Sequence, residues 1–317
     1  MTSTHSAVFY RTDADYLRAL VPFVVEGLAA DEPVAVAVPE PRLRLLRDAL
    51  GADADRVTFI DMYRAGRNPG RIIPTVLHRF ADSHPDRHVR IIGGPVWAGR
   101  TPTEYPACAQ HEALINLVFT GRRVTIACPY DSAGLDPLVV ADARRTHPQL
   151  WDGHHRLASP DYDPHAVINA YNRALTFDNA TAMRFRVAST GGIRAARTWA
   201  TTHAERIGLG PARVADLELI VSELTTNSLL HGGGDCLLAL HDHNGHLVCE
   251  VADAGHLANP LAGYLPATPG SLGGHGLLLV HQLADLVHTH RTPRGTTQYA
   301  FLALPAATTD RSPAPAT

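Results

Sequence analysis

Three polar side chains recur every four residues in the second half of the chain: Glu223, Asn227 and His231. Residues spaced in this way lie on one face of an α-helix, so a helix over 212–231 aligns the three in one stripe. Apolar residues such as Leu224 supply the packed side of this helix. A carboxylate, an amide and an imidazole suit metal binding and proton transfer, although a stripe of this kind is also typical of a solvated helix face.

Three further glycine-containing segments follow the stripe, and the first of them contains an aspartate. Asp253-Ala254-Gly255 ends a predicted strand, and a buried carboxylate there can accept a hydrogen bond from an exocyclic amine such as that of adenine. Residues 273–277 enter a helix predicted over about 276–286, and the N–H groups of a helix N-terminus favour anions. Gly295-Thr296-Thr297 begins the last predicted strand, with hydroxyl groups that could reach the same cavity.

In this order and spacing, residues 183–304 resemble the ATP-binding domain of the GHKL superfamily, which includes gyrase, Hsp90, histidine kinases and MutL. Residues 223–231 are similar to its N box, 253–255 to its G1 box and 274–277 to its G2 box. The amino-acid sequences of 223–228 and 274–285 are most similar to those of the actinobacterial anti-sigma-factor serine kinases of the RsbW type.

The resemblance implies ATP and Mg²⁺ as cofactors. Asn227 would ligate Mg²⁺ through its amide oxygen, and Glu223 would orient or deprotonate the attacking hydroxyl. The residues implied to bind the nucleotide are Asp253, which would read adenine, and Gly255, Gly274, Gly276, Leu277 and Thr297. We interpret His231 as the end of the helix rather than as a catalytic group.

The G1 box departs from the pattern of the superfamily. Gly255 is followed by His256 and Leu257, where the family usually has a second glycine. This difference could narrow the adenine side of the pocket or weaken ATP binding. The proline-containing loop over 257–272 is a candidate lid.

The first half of the chain alternates short β-branched runs with helical stretches. The predicted strands are 6–10, 34–38, 57–61, 89–93 and 124–128, and the predicted helices are 13–30, 41–50, 69–83, 103–120 and 137–146. Repeated strand-helix-strand units indicate a mostly parallel sheet covered on both faces. The chain has no G-x-x-x-x-G-K-S/T segment, so this half lacks a phosphate-binding P-loop.

Residues 5–170 resemble the MEDS domain, the sensory module of the DcmR regulator. The matching segments are 5–10, 27–28, 112–116 and 128–131. The resemblance implies that this half responds to a small-molecule or protein signal whose identity is open. The candidates for facing the sensory site are His5, Tyr10, Glu112 and Tyr130, each of which could instead be structural.

The predicted organisation is therefore an α/β protein with two domains. We expect a mostly parallel three-layer α/β domain over 1–175, a linker over 176–182 and a two-layer α/β sandwich of the GHKL ATPase type over 183–305. The segment 306–317 is rich in Pro, Ala, Thr and Ser and is expected to be a disordered tail.

Composition excludes several function classes. All 28 basic residues are Arg, so no mechanism can use a lysine to hold phosphate or to form a Schiff base. The net charge of -3 without a basic block disfavours nucleic acid, and the four cysteines form no C-x-x-C pair. We find no signal peptide or membrane segment, so a cytoplasmic protein without a membrane partner is expected.

Three histidines, His241, His243 and His246, are spaced like metal ligands, but Asn244-Gly245 lies among them and is typical of a hairpin turn. Metal binding there is the less favoured alternative.

The main functional interpretation is a signalling protein in which the sensory domain controls a serine/threonine kinase domain. The implied partners are an anti-anti-sigma (STAS-type) protein as substrate and a sigma factor, and a homodimer is compatible with this interpretation. One alternative is a sensor histidine kinase, for which 164–182 supplies only one short helix with His165. Another is a module that binds a partner in a nucleotide-dependent way without phosphoryl transfer.

Overall fold

The computed structural model describes residues 3–153, 155–178, 182–265 and 275–305. The described chain forms two β-sheets. Seven strands form the first sheet in the order β3-β2-β4-β5-β1-β6-β7. These strands are β1 (Thr4–Tyr10), β2 (Val34–Val38), β3 (Val57–Asp61), β4 (Val89–Gly93), β5 (Val124–Asp131), β6 (Gln149–Asp152) and β7 (His155–Ala158).

Helices cover both faces of the first sheet. They are α1 (Asp13–Ala29), α2 (Glu40–Leu50), α3 (Met62–Ala65), α4 (Pro69–Ile72), α5 (Arg79–Asp82), α6 (Tyr105–Val118), α7 (Pro137–Thr146) and α8 (Pro164–Ala170). All strand pairs are parallel except β6 with β7. The five residues of β2 are all buried, as expected for a strand with helices on each side.

Alternation along β1 divides its side chains between two cores. Ala7 packs in the core beneath α6 and α7, whereas Val8 and Tyr10 pack in the core formed with α1 and α2. Successive side chains of a strand point to opposite faces of the sheet, so residues an odd number apart are separated by the sheet.

The second sheet is antiparallel and has five strands in the order β11-β12-β10-β9-β8. Its strands are β8 (Met183–Val187), β9 (Cys236–His243), β10 (His246–Asp253), β11 (Leu286–Thr292) and β12 (Gly295–Ala303). Three helices pack on one face: α9 (Ile193–Ile207), α10 (Pro211–His231) and α11 (Gly276–Leu283). The other face contacts the first domain, where Val248, Tyr299 and Phe301 pack with Ala107.

The predicted fold class is confirmed, with local differences. The predicted helix over 69–83 consists of α4, a π-helical turn (Ile73–His78) and α5, in a segment that contains Pro74, which has no N–H for the helical ladder. The helix predicted to run to residue 286 ends at Leu283, and β11 follows at once. Strands β6, β7 and β11 were not predicted. The predicted tail, 306–317, lies outside the described residues.

The predicted hairpin turn is confirmed. Asn244 and Gly245 both have positive φ, 49° and 74°, as a type I′ turn requires. The ring of His241 contacts the Glu250 carboxylate on the neighbouring strand, with Nε2 and Oε2 2.7 Å apart. Among the described helices, none has the length and apolar character needed to cross a membrane.

Two neighbouring leucines on β9 test how the second sheet is stabilised. Leu238 is completely buried against α9 and α10, whereas Leu237 is 41% exposed on the opposite face. Leu238→Ala should lower the free energy of unfolding by about 2–5 kcal/mol, because it leaves a cavity. The matched Leu237→Ala should change it by less than about 0.5 kcal/mol. Urea unfolding of both variants measures the difference, and equal losses would contradict this assignment of the two faces.

Candidate functional site

Helix α10 carries the polar stripe found in the sequence. It begins at Pro211, a favoured first helical residue, and buries Leu217, Ile220 and Leu224 against the sheet. Glu223 and Asn227 are half-buried on a neighbouring side of the helix. The packed face therefore fixes the direction in which these two polar side chains point.

The start of α11 lies directly against Glu223 and Asn227. A Cβ atom at Gly276 would lie 2.4 Å from Glu223 Oε2 and 3.3 Å from Asn227 Nδ2. A side chain at residue 276 would therefore displace the carboxylate end of Glu223 from this position, which glycine leaves free. The first backbone groups of α11 and the two polar side chains form one wall.

Asp253 stands at the end of β10, beside the last turns of α10. Its Oδ2 accepts a hydrogen bond of 2.6 Å from Ser228 Oγ, and its Oδ1 accepts one of 2.8 Å from Gly255 N. These two bonds fix the orientation of the carboxylate, which retains further lone pairs for a ligand donor. Ser228 lies one residue after Asn227 on α10, so the helix positions both the amide and the aspartate.

Gly255 meets the end of α10 backbone to backbone. A Cβ at Gly255 would lie 2.4 Å from Gly232 Cα and 2.6 Å from His231 O. Thr296 Oγ1 donates to Gly255 O at 2.8 Å and accepts from Leu257 N at 3.1 Å. The glycine and the threonine together hold the loop after β10 against the helix.

Thr297, a residue predicted to bind the nucleotide, lies outside this arrangement. The buried residues Ala300 and Leu302 pack on the helices, so the even-numbered residues of β12 face that side. Thr297 lies on the opposite face with Tyr299, whereas Thr296 pairs with Asp253 and faces the site. The two neighbouring threonines therefore lie on opposite faces of β12, and the register of the strand decides which of them lies on the face of Asp253.

Other predicted residues of this domain are placed as follows. Leu277 packs against the core of the second domain at the start of α11. His231 is the last residue of α10 and leads directly into the glycines. His256 is the residue that departs from the G1 pattern, and its ring is exposed. Its Nδ1 lies 2.9 Å from Thr292 O, at the end of β11. Gly274 lies outside the described residues.

A second group of polar residues is buried in the first domain. The histidine cluster consists of His5 on β1, Glu112 on α6, Cys128 on β5 and His147 after α7, each at most 4% exposed. His5 Nε2 and His147 Nε2 each lie 3.1 Å from the same atom, Glu112 Oε2. Cys128 Sγ lies 3.4 Å from His5 Nε2.

Burial and mutual contacts shift the pKa values of this cluster. Burial, together with repulsion from His147, lowers the pKa of His5 to about 4. The His5 ring is therefore uncharged at neutral pH. Burial raises the pKa of the Cys128 thiol.

The structure separates the four predicted sensory residues into two groups. His5, Glu112 and Tyr130 lie together, with the Tyr130 ring against His147 at a centroid distance of 5.5 Å. Tyr10 lies on the other face of the sheet, where it packs against Tyr16 beneath the guanidinium of Arg42. His5 and Tyr10 are an odd number of residues apart on one strand, and this separation places them on opposite faces.

Two members of the cluster were missed from sequence. Cys128 is one of the four cysteines without a C-x-x-C partner and was not a candidate, although it lies on the same strand face as Tyr130, two residues away. His147 follows the last turn of α7 and is one of 19 histidines spread along the chain. His147 reaches β1 only through the tertiary fold, so its distance along the chain from His5 and Glu112 did not indicate a shared site.

The first domain binds the far end of α11. Asn68 Nδ2 donates to His281 O at 2.8 Å and to Ala284 O at 3.1 Å. Arg71 donates to the same two oxygens at 2.9 and 2.8 Å. These carbonyls have no partner within a helix that ends there, and a guanidinium is favoured at a helix C-terminus. The helix that starts at Gly276 is therefore capped by the other domain.

The chain after the G1 segment also contacts the first domain. Leu261, Tyr264 and Leu265 pack against the core that contains α6 and α8. The Tyr264 ring lies 4.8 Å from the ring of His281 on α11. The described part of the candidate lid, 257–265, is therefore anchored on the first domain. Its remaining residues, 266–272, lie outside the described residues.

Comparison with known families identifies both domains. Residues 4–148 match the family described as MEDS, the methanogen/methylotroph, DcmR sensory domain. Residues 186–299 match the histidine kinase-like ATPase domain. The chain therefore contains an N-terminal MEDS domain and a C-terminal ATPase domain of the histidine kinase type, and both predicted resemblances are confirmed.

Two solved structures are similar to part of the chain. One contains the RsbU and RsbW domains of Rv1364c from Mycobacterium tuberculosis, with 20% identity, a TM-score of 0.29 and coverage of 39% of this chain and 34% of that one. The other is the SiaB-SiaC complex from Pseudomonas aeruginosa, with 16% identity, a TM-score of 0.31 and coverage of 38% and 88%. No curated protein matches the chain significantly.

The neighbouring threonines of β12 provide a matched test of the site. Thr296→Val removes both hydrogen bonds that hold the loop after β10 and should weaken ATP binding about tenfold, because each unpaired buried group costs about 1–3 kcal/mol. Thr297→Val should leave the affinity unchanged. Calorimetric titration with Mg·ATP measures both, and a larger effect at Thr297 would contradict the placement of the site.

Proposed function

We propose that the second domain is an ATP-dependent protein serine/threonine kinase of the RsbW type and that the MEDS domain regulates it. The observation that carries this proposal is the wall formed by Glu223, Asn227 and the start of α11 at Gly276, with Asp253 oriented beside it. An acid, an amide, an oriented carboxylate and a helix N-terminus fit the needs of a magnesium nucleotide.

Each residue has a distinct proposed role. Asp253 accepts a hydrogen bond from the adenine amine, and its orientation is set by Ser228 and Gly255. Asn227 supplies an amide oxygen for Mg²⁺, and backbone N–H groups near Gly276 bind phosphate oxygens in a chain without lysine. Glu223 accepts the proton of the attacking hydroxyl, while Mg·ATP supplies the phosphoryl group.

The segment between the domains disfavours the histidine kinase alternative. A histidine kinase needs a phosphoacceptor histidine on a dimerisation hairpin of two helices. Among the described residues between β7 and β8, α8 is the only helix, and it has seven residues. Val167 and Ile168 bury α8 in the core of the first domain, and His165 is exposed on its outer side.

The proposed substrate is a serine or threonine of an anti-anti-sigma (STAS-type) protein, and binding of a sigma factor by the same domain is part of the proposal. Support comes from the similarity of 223–228 and 274–285 to the RsbW-type kinases. The His256 ring is exposed and contacts Thr292 O, so it does not cover the Asp253 carboxylate. In the proposal, Asp253 therefore remains the group that binds adenine. A binding module without transfer would not require an acid positioned like Glu223.

Regulation by the MEDS domain is supported by the two contacts that it makes with the ATPase domain. One caps α11 through Asn68 and Arg71, and the other holds 257–265, which follows directly after the G1 residues. Both contacts lead to elements of the proposed nucleotide site. A signal that shifts the first domain can therefore change the position of α11 or of the loop.

The kinase assignment is tested with radiolabelled ATP and a candidate STAS protein. The wild-type chain should transfer phosphate to serine or threonine of the partner, which acid-stable label and mass spectrometry identify. Glu223→Gln should retain Mg·ATP binding and lose transfer by about 10²-fold or more, because proton transfer is lost. Asn227→Ala should lose Mg-dependent binding. Glu218→Gln, an exposed glutamate on the same helix, is the control.

Other outcomes would overturn the proposal in distinct ways. Acid-labile label on the protein itself would indicate a histidine kinase. A stable nucleotide-dependent complex without transfer would indicate a binding module. Full activity of Glu223→Gln would remove this residue from the chemistry.

The domain contact gives a separate prediction. Arg71→Met keeps the apolar stem of the side chain but removes its two hydrogen bonds to the end of α11. Mg·ATP affinity should change about fivefold or more, the usual size of coupling between two sites. Arg18→Met, an exposed arginine of the same domain, should have no effect. Equal affinities for wild type and Arg71→Met would show that the cap of α11 does not reach the nucleotide site.

A further inference from the structure

The histidine cluster contains more acceptors than its surroundings can satisfy. Asn116 donates through Nδ2 to the carbonyl oxygens of Glu112, Ala113 and Thr146, at 3.2, 3.2 and 2.7 Å. Its Oδ1 is therefore the atom that faces His5 Nδ1, 3.2 Å away. An amide oxygen can only accept, so His5 carries a proton on Nδ1.

His147 is fixed in the same tautomer. Its Nδ1 lies 2.8 Å from Ala143 O, a backbone carbonyl that can only accept a hydrogen bond. In the neutral ring the proton therefore occupies Nδ1, and Nε2 presents a lone pair. Both Nε2 atoms thus direct lone pairs toward the same carboxylate oxygen of Glu112.

Three acceptor atoms and a thiol meet in this buried space. Within the described residues, Glu112 Oε1 and His147 Nε2 have no hydrogen-bond partner, although both are buried. A buried carboxylate beside two lone pairs is unfavourable unless a cation lies between them. The pattern in which each Nδ1–H is held by a carbonyl oxygen while Nε2 points inward is typical of histidines that bind metals.

We propose that the histidine cluster binds a divalent first-row transition-metal ion of the Zn²⁺ class. The four ligand atoms all lie within 4.8 Å of one another, and three of their separations are 3.1, 3.1 and 3.4 Å. A tetrahedral zinc site needs ligand atoms about 3.3–3.6 Å apart, so small side-chain shifts complete it. The ligands come from four separate elements, so the ion would join β1, β5, α6 and the end of α7.

The chemistry of the ligands selects the ion. Thiolate and imidazole ligands favour Zn²⁺, Fe²⁺ or Co²⁺ over Mg²⁺ and Ca²⁺, which prefer oxygen. Binding releases the thiol proton of Cys128 to solvent, and the thiolate and the Glu112 carboxylate then neutralise the two positive charges. A cavity lined by Thr4, Asn116 and Tyr162 reaches His5 and provides a route of entry.

Cobalt substitution of the full chain tests the site. The protein is purified without a polyhistidine tag, depleted with a strong chelator and titrated with Co²⁺. A thiolate-to-cobalt charge-transfer band should saturate at about one equivalent, and it should be absent in Cys128→Ser. Cys249→Ser, a completely buried cysteine of the other domain, should retain the band. Glu112→Gln should weaken cobalt binding at least about tenfold, since it removes a charged ligand.

A measurement on the wild-type chain covers the case in which the variants do not fold. Loading the depleted protein with Zn²⁺ should raise the midpoint of its thermal unfolding, because the ion binds only the folded cluster, and Mg²⁺ should not. The proposal is overturned if wild type shows no charge-transfer band, or if the band persists in Cys128→Ser. It is also overturned if Zn²⁺ leaves the unfolding midpoint unchanged, which would indicate a shared proton in place of a metal.

Discussion

Hydrogen bonds from Asn68 and Arg71 to the last carbonyl oxygens of α11 join the two domains at the helix on which the candidate nucleotide site depends. The other end of α11 begins at Gly276, where any side chain would displace the carboxylate of Glu223. One short helix is therefore fixed at its start by the second domain and at its end by the first. In the proposed regulation, a change in the first domain that moves this cap would shift the wall of the site.

Helix α6 gives the first domain a second connection to the same region. Its Glu112 belongs to the histidine cluster, whereas Gln110 and Leu114 border the contact with the loop that contains Tyr264. These residues lie within two turns of one helix, so the cluster and the loop share a rigid element. Helix α6 therefore contacts the buried histidine cluster on one side and the loop after the G1 segment on another.

The sequence was sufficient for the architecture and for the N-box helix, because the periods of strands and helices and the spacing of Glu223 and Asn227 are local properties. It was insufficient to assign side chains to a face of the sheet, because a shift of one residue along a strand moves the side chain to the opposite face. Thr297 lies on the opposite face of β12 from Thr296. Tyr10 lies on the opposite face of β1 from His5, with which the sequence grouped it. Contacts between distant segments, such as His147 with His5 or Arg71 with α11, depend on the tertiary fold and have no local signal. Strand β11 was missed because its first residues continue the apolar run of α11.

A crystal structure of the full chain with Mg²⁺ and a non-hydrolysable ATP analogue would show where the nucleotide binds. We expect Mg²⁺ on the Asn227 amide oxygen, the adenine amine on Asp253, and the terminal phosphate beside Glu223 near the start of α11. A nucleotide bound elsewhere, or an adenine placed away from Asp253 and Thr296, would contradict it.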